Sequence, residues 1–147
     1  MAEADPKRPG PRLTWVLAGV VATALLIGAW ASARPYLDEE TEQLLVQAVE
    51  TAARLDLYGS RCRSDVSGRH IDNLNKELVG KLRMTVIDVQ DDLFPEGSYR
   101  RAQERLQRDF FNELKEAGGC KGAKAAGLPK QLKSRYDGLM QEIDALP

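Results

Sequence analysis

The side chains best suited to covalent or acid–base chemistry in this chain are two cysteines, Cys62 and Cys120, and one histidine, His70. Structural zinc sites combine cysteine and histidine ligands, often as Cys-x-x-Cys pairs. The sequence contains no such pair and only one histidine, so we predict neither a metal site nor covalently bound haem. Two cysteines in an oxidising compartment instead predict one disulfide between them.

His70 lies near two carboxylates in the sequence, Asp65 and Asp72. A histidine oriented by a carboxylate can serve as a general base, which makes an envelope enzyme using His70 one hypothesis. The sequence offers no obvious nucleophile or metal partner for His70, and a surface residue at the start of a helix is the simpler interpretation. We therefore predict no catalytic residue and no cofactor.

Positive charge gathers around the two cysteines in the sequence. The basic tip, as we call this group, consists of Arg61, Arg63, Arg69, His70, Lys121 and Lys124. Such a cluster is suited to an anionic partner, for example an acidic protein face or the phosphates and carboxylates of a cell envelope. The alternative is an ordinary solvated surface without a binding role.

Two other patterns resemble ligand sites only superficially. The glycine-rich segment 118–122 has no strand before it and no Gly-Lys-Ser/Thr ending, so it is not a phosphate-binding loop. The acidic run 88–96 lacks the residue spacing of a calcium-binding loop. The formal net charge of −1 argues against a dedicated nucleic-acid-binding protein.

Four amphipathic helices are predicted from apolar residues at helical spacing. They are helix A (38–58), helix B (69–92), helix C (98–117) and helix D (129–145). Asp38 is expected to cap helix A, and Gly59 to end it. Residues 84–90 within helix B are β-branched enough to form a strand, but Val86 and Val89 continue the apolar stripe and favour a helix.

The links between these helices have their own predictions. Residues 121–128 are interpreted as a loop between helices C and D. The aromatic residues Tyr99, Phe110 and Phe111 of helix C are predicted to be buried.

The fold class predicted from this pattern is all-α: one N-terminal transmembrane helix, followed by a small disulfide-linked bundle of three or four helices outside the cytoplasm. In an up-down bundle, the A–B and C–D links lie at the same end. These links contain Cys62 and Cys120, so the helix pattern and the disulfide predict each other. Helix A follows the membrane segment, which would make the cysteine end the distal one.

Residues 13–33 contain no charged side chain. As a helix they would span about 32 Å, close to the ~30 Å hydrocarbon core of a bilayer. Trp15 and Trp30 lie near the two ends, where aromatic rings favour the membrane interface. We predict a transmembrane signal-anchor, preceded by a basic cytoplasmic tail (1–12) and followed by an extracytoplasmic domain (34–147).

Charge around this segment predicts its orientation. Three Lys and Arg residues precede it closely, whereas only Arg34 follows closely. Because Lys and Arg are retained on the cytoplasmic side, the N-terminus is expected inside and the C-terminal domain in the periplasm or outside the cell. The four-residue spacing of Gly19 and Thr23 would suit a helix–helix contact, and a plain anchor is the alternative.

A cleaved signal peptide is the competing interpretation, since residues 31–33 read Ala-Ser-Ala, the form of a cleavage site. The apolar run is longer than the ~7–15 residues of a typical signal peptide, which favours the anchor. The leading hypothesis is thus a non-enzymatic accessory protein of a bacterial inner membrane that docks to a larger envelope complex. The alternative is a cleaved periplasmic protein that binds an anionic ligand through the basic tip.

Overall fold

The computed structural model describes residues 36–147, in which all regular secondary structure is helical. The helices are α1 (Glu39–Cys62), α2 (Arg69–Leu82), α3 (Val86–Asp92), α4 (Tyr99–Glu116), α5 (Gly119–Ala125) and α6 (Leu128–Asp144). None of them is long and apolar enough to cross a membrane. The predicted span with Trp15 and Trp30, and the predicted contact through Gly19 and Thr23, lie outside the described residues.

Helix α1 is the central element, and α2, α3, α4 and α6 all pack against it. Its start matches the prediction, because the Asp38 side chain accepts a hydrogen bond from the backbone N–H of Thr41 at 2.7 Å. Its end does not match, since the helix continues past Gly59 to Cys62. A Cβ on Gly59 would lie 3.3 Å from the backbone oxygen of Asp65, so this glycine gives room for the returning loop.

The predicted helix B is two helices. Arg83 adopts a left-handed conformation (φ 53°) and ends α2, after which Thr85 caps α3. Thr85 and Asp88 form a capping box, in which each side chain bonds to the other residue's backbone N–H. Residues 86–90 are therefore helical, as expected, but they belong to a separate helix.

The interpretation of residues 121–128 as a loop is wrong, because most of this segment belongs to α5. Gly118 has a left-handed backbone (φ 84°), a conformation that glycine adopts readily, and it separates α4 from α5. Gly122 has a different role: a Cβ there would lie 1.7 Å from the carbonyl oxygen of Ala117. A side chain at this position is incompatible with the close approach of α5 to the end of α4.

Buried apolar residues form two clusters. The main core combines side chains of α1, α2, α3, α6 and the first half of α4, among them the fully buried Leu45, Leu74 and Ile143. The tip cluster, at the C-terminal end of α1, consists of Tyr58, Phe110, Leu114 and Ala123, with both cysteines packed against it. Of the aromatic residues predicted to be buried in α4, only Phe110 is, since Tyr99 and Phe111 are 42% and 43% exposed.

Candidate functional site

The predicted disulfide is confirmed. Cys62 and Cys120 are bonded, with their Cα atoms 5.5 Å apart. Their positions differ from the prediction, because Cys62 is the last residue of α1 and Cys120 the second residue of α5, not members of loops. The bond joins α1 to α5 at the end of the domain where the basic tip was predicted.

The structure divides the basic tip between two surfaces. Three of its residues, Arg63, Arg69 and His70, line a groove between α2 and α6, whereas Arg61 points to α4. The Arg61 guanidinium carbon lies 5.7 Å from the centre of the half-exposed Phe111 ring, within the range of a cation–π contact. Lys121 and Lys124 are exposed on α5 beside the disulfide.

The groove has a volume of about 1340 Å³ and is bounded by three helices. The C-terminal half of α1 forms its floor, from Leu55 to Arg63. The first turns of α2 form one wall and α6 forms the other. Most of the residues that line it have polar or charged side chains.

The His70 side chain is bound by Asp56 of α1, on the floor of the groove. The Nδ1 atom of His70 lies 2.6 Å from Asp56 Oδ1, and both side chains are about 15% exposed. The same carboxylate accepts hydrogen bonds from the backbone N–H groups of His70 and Ile71, at 3.2 and 2.9 Å. Asp56 therefore caps the N-terminus of α2 from another helix, since the Gly68 N-cap has no side chain to do so.

Tyr136 of α6 fixes His70 from a second side. The two rings meet edge to face with centroids 5.1 Å apart, and the Tyr136 hydroxyl donates a hydrogen bond to the His70 carbonyl oxygen at 3.1 Å. Burial, together with the negative charges of Asp56 and Asp137, raises the pKa of Tyr136 to about 12. The phenol is thus a hydrogen-bond donor throughout the physiological pH range.

The walls of the groove also carry ion pairs. On α2, Arg69 contacts Asp65 at 3.1 Å, and on α6, Lys133 contacts Asp137 at 2.5 Å. Hydrogen bonds from the side chain and backbone of Ser67, and then the charge of Arg69, lower the pKa of Asp65. This carboxylate is therefore ionised at neutral pH and balances one of the predicted tip cations.

The carboxylate partner of His70 was predicted wrongly. Asp65 and Asp72 are its neighbours in sequence, but Asp56 is its partner in space. The signal that would have identified Asp56 is the hairpin of α1 and α2, which brings residues 14 positions apart into contact. Within residues 36–147, no hydroxyl or thiol hydrogen-bonds to the His70 ring, and this arrangement gives it no nucleophile to activate.

Metal binding finds no support in the described part of the chain, where no group of three or more His, Cys, Asp or Glu side chains is placed to hold an ion. Comparisons of this chain with protein-family models, with characterised protein sequences and with solved structures found no match.

Proposed function

We propose that this protein is a single-pass, membrane-anchored accessory protein of the cell envelope, which docks to a larger complex and catalyses no reaction. The contact in this proposal is made by the part of the basic tip that lies outside the groove, Arg61, Lys121 and Lys124, on an anionic face of the partner. The observation that carries the proposal is the distribution of charge between the two ends of the helical domain.

The segments around the disulfide, residues 59–69 and 117–127, contain five Lys and Arg residues and one acid, Asp65. The opposite end of α1 begins with four acids within residues 38–42, and residues 142–144 of α6, which lie near it, contain two more. Opposite charges at the two ends favour one orientation of approach to a charged partner. In this proposal the anchor is predicted to join the domain at its acidic end, so that the basic end faces the partner.

The tip is also suited to docking because its shape is fixed. The disulfide joins α1 to α5, and Gly122 lets α5 lie against the end of α4. Arg61 and Phe111 together present a cation beside a half-exposed aromatic ring, two residue types that are enriched at protein interfaces. A preorganised surface loses less conformational entropy on binding.

Site-specific photo-cross-linking in intact cells tests this proposal. A photoreactive residue in place of Lys121 or Lys124 is expected to capture one partner, identified by mass spectrometry. A photoreactive residue in place of Lys76, an exposed lysine of α2, is the matched control and should not capture it. Equal capture from Lys76, or no capture from either tip position, would contradict docking through the tip.

The alternative proposal is a cleaved periplasmic protein that binds a small anionic ligand through the same tip. The Ala-Ser-Ala sequence at residues 31–33 favours it. Mass spectrometry of the protein purified from whole cells separates the two proposals. An N-terminus at Arg34 would support cleavage, whereas retention of residues 1–33 would support the anchor.

A further inference from the structure

We propose that the groove between α2 and α6 is a second binding site, which takes an extended peptide segment of net acidic charge. This inference deepens the proposed function and rests on it, because the segment is taken to belong to a protein partner. It involves a different surface from Arg61, Lys121 and Lys124, which do not line the groove.

The dimensions of the groove fit such a segment. Its α6 wall extends from Pro129 to Gln141, about 18 Å along a helix at 1.5 Å per residue. An extended peptide advances about 3.3 Å per residue, so five or six residues would occupy this length. The volume of about 1340 Å³ exceeds the range of about 300–1,000 Å³ typical of small-molecule pockets.

The charges of the groove favour a peptide over a uniformly charged polymer. Each wall presents a cation paired with a carboxylate, Arg69 with Asp65 and Lys133 with Asp137. Two further lining cations, Arg63 and Lys130, have no carboxylate partner among the described residues. A polyanion would be repelled by the wall carboxylates and by Asp56 on the floor, whereas a segment of mixed sign with a small excess of acid complements both the pairs and the two cations that lack a carboxylate partner.

Neutral sugars are also disfavoured as ligands. Stacking on a sugar ring needs an exposed aromatic face, and the tyrosines that line the groove, Tyr58 and Tyr136, are 4% and 6% exposed. A peptide instead needs hydrogen-bonding groups for its backbone. His70 can supply one at Nε2, because Nδ1 is the ring nitrogen that bonds to Asp56. In the described residues Nε2 has no hydrogen-bond partner, so it is available to a peptide backbone.

Gly138 supplies an observation that does not depend on the charges of the groove. It lies in the interior of α6, where glycine costs stability, and it lines the groove. A Cβ at this position would meet no atom within 4 Å, so packing within the domain does not require a glycine here. The bare backbone leaves space on the groove wall that a closely approaching peptide can occupy.

Selection from a phage-displayed library of random heptapeptides, against the full chain in detergent, tests the proposal. Peptides enriched in Asp and Glu are expected. Synthetic peptides of the selected sequences should bind Gly138→Leu at least tenfold more weakly, because the new side chain fills the groove. The matched control is Gly80→Leu, on an exposed position of α2 outside the groove that is equally free of neighbours, and it should leave the Kd unchanged.

Three results would overturn the inference: no enrichment of peptides, enriched peptides that bind Gly138→Leu as tightly as the unmodified chain, or enrichment of peptides without acidic residues. Thermal unfolding of both leucine variants shows that they fold. The test is separable from that of the proposed function. Loss of cross-linking from Lys121 with intact peptide binding would reject docking through the tip, and the reverse result would reject the groove.

Discussion

The main core and the tip cluster belong to the same domain but are stabilised in different ways. Within residues 36–147, the main core has nineteen buried residues, which come from five helices and from the two links that flank α3, whereas the tip cluster has four. Apolar burial contributes roughly 25 cal/mol per Å², so four residues supply little of the total. At the tip, the disulfide and the close contact of Gly122 with Ala117 take the place of a large core.

This difference has a functional consequence. A segment held by a covalent bond and by backbone contacts does not need apolar residues on every side. Its outer surface can then carry many cations without loss of structure. The contrast between the two regions therefore explains how a rigid end of the domain can also be its most positively charged one.

Removal of the disulfide should have the largest effect. The bond joins residues 58 positions apart, and the loop-entropy relation gives a stabilisation of about 4 kcal/mol. We expect the variant Cys62→Ser with Cys120→Ser to lose about this amount in urea unfolding. Reductant should destabilise the unmodified chain similarly and leave the variant unchanged. A loss below about 1 kcal/mol would mean that the tip is held mainly by other contacts.

Equivalent truncations in the two regions test the contrast directly. Leu74→Ala in the main core leaves a cavity surrounded by several helices and should cost about 3–4 kcal/mol. Leu114→Ala in the tip cluster has fewer buried neighbours and should cost about 2 kcal/mol, near the lower limit for this substitution. Chemical denaturation of both variants measures the difference. Equal costs would show that the tip cluster is as tightly packed as the main core.

Gly122→Ala tests the backbone contact at the tip. The added methyl group would lie 1.7 Å from the Ala117 carbonyl oxygen, so α5 must shift, at a cost of about 2–3 kcal/mol typical of overpacking. Gly80→Ala is the matched control in an exposed helix interior. It should stabilise the protein by up to about 1 kcal/mol, because nothing opposes the better helix former. The same sign for both substitutions would contradict the close contact.

A helix cap supplied from within the helix and a cap supplied by another helix should also differ in how much they stabilise the domain. Asp38 caps α1 locally and is exposed, and Asp38→Ala should lower the unfolding temperature only slightly. Asp56 accepts two backbone hydrogen bonds of α2 and one from the His70 ring, and Asp56→Ala should cost about 2 kcal/mol. Thermal unfolding compares the two variants. A cost for Asp56→Ala no larger than that for Asp38→Ala would argue that the His70 contact adds nothing.

These caps also explain which parts of the structure could be predicted from sequence. The Asp38 cap and the apolar stripes follow from spacing along one chain segment, and the disulfide follows from the presence of two cysteines. The cap of α4 does not follow from such spacing. The side chain of Ser98, the N-cap residue, makes no capping hydrogen bond, and the Asp91 carboxylate of α3 accepts one from the Tyr99 backbone N–H instead. Asp56 likewise acts across the hairpin of α1 and α2. Contacts of this kind depend on tertiary geometry, which spacing alone does not encode.

Two other errors have local causes. Helix B was predicted as continuous because Val86 and Val89 stay in phase with the apolar stripe, and both are indeed buried. The break at Arg83 was signalled only by the Thr85–Asp88 capping box. Helix α5 was missed because its sequence is rich in Gly and Lys, and the position of Gly122 follows from its contact with Ala117 rather than from helix propensity.

The smallest expected effect on stability concerns the ionisation of Tyr136, which belongs to the main core and lines the groove. Its pKa is raised from 10.0 to about 12 by burial and then by Asp56 and Asp137, so the folded state keeps the phenol proton that the unfolded state loses. The stability that this contributes is complete below pH 10 and is lost between pH 10 and 12.

Ultraviolet titration of the folded protein should show a late-ionising tyrosine, absent in Tyr136→Phe. Asp56→Asn should move this ionisation to lower pH, because it removes a negative charge beside the ring. An unchanged titration in Asp56→Asn would show that burial and Asp137 raise the pKa without Asp56, and that the electrostatic link between the groove floor and the main core is negligible.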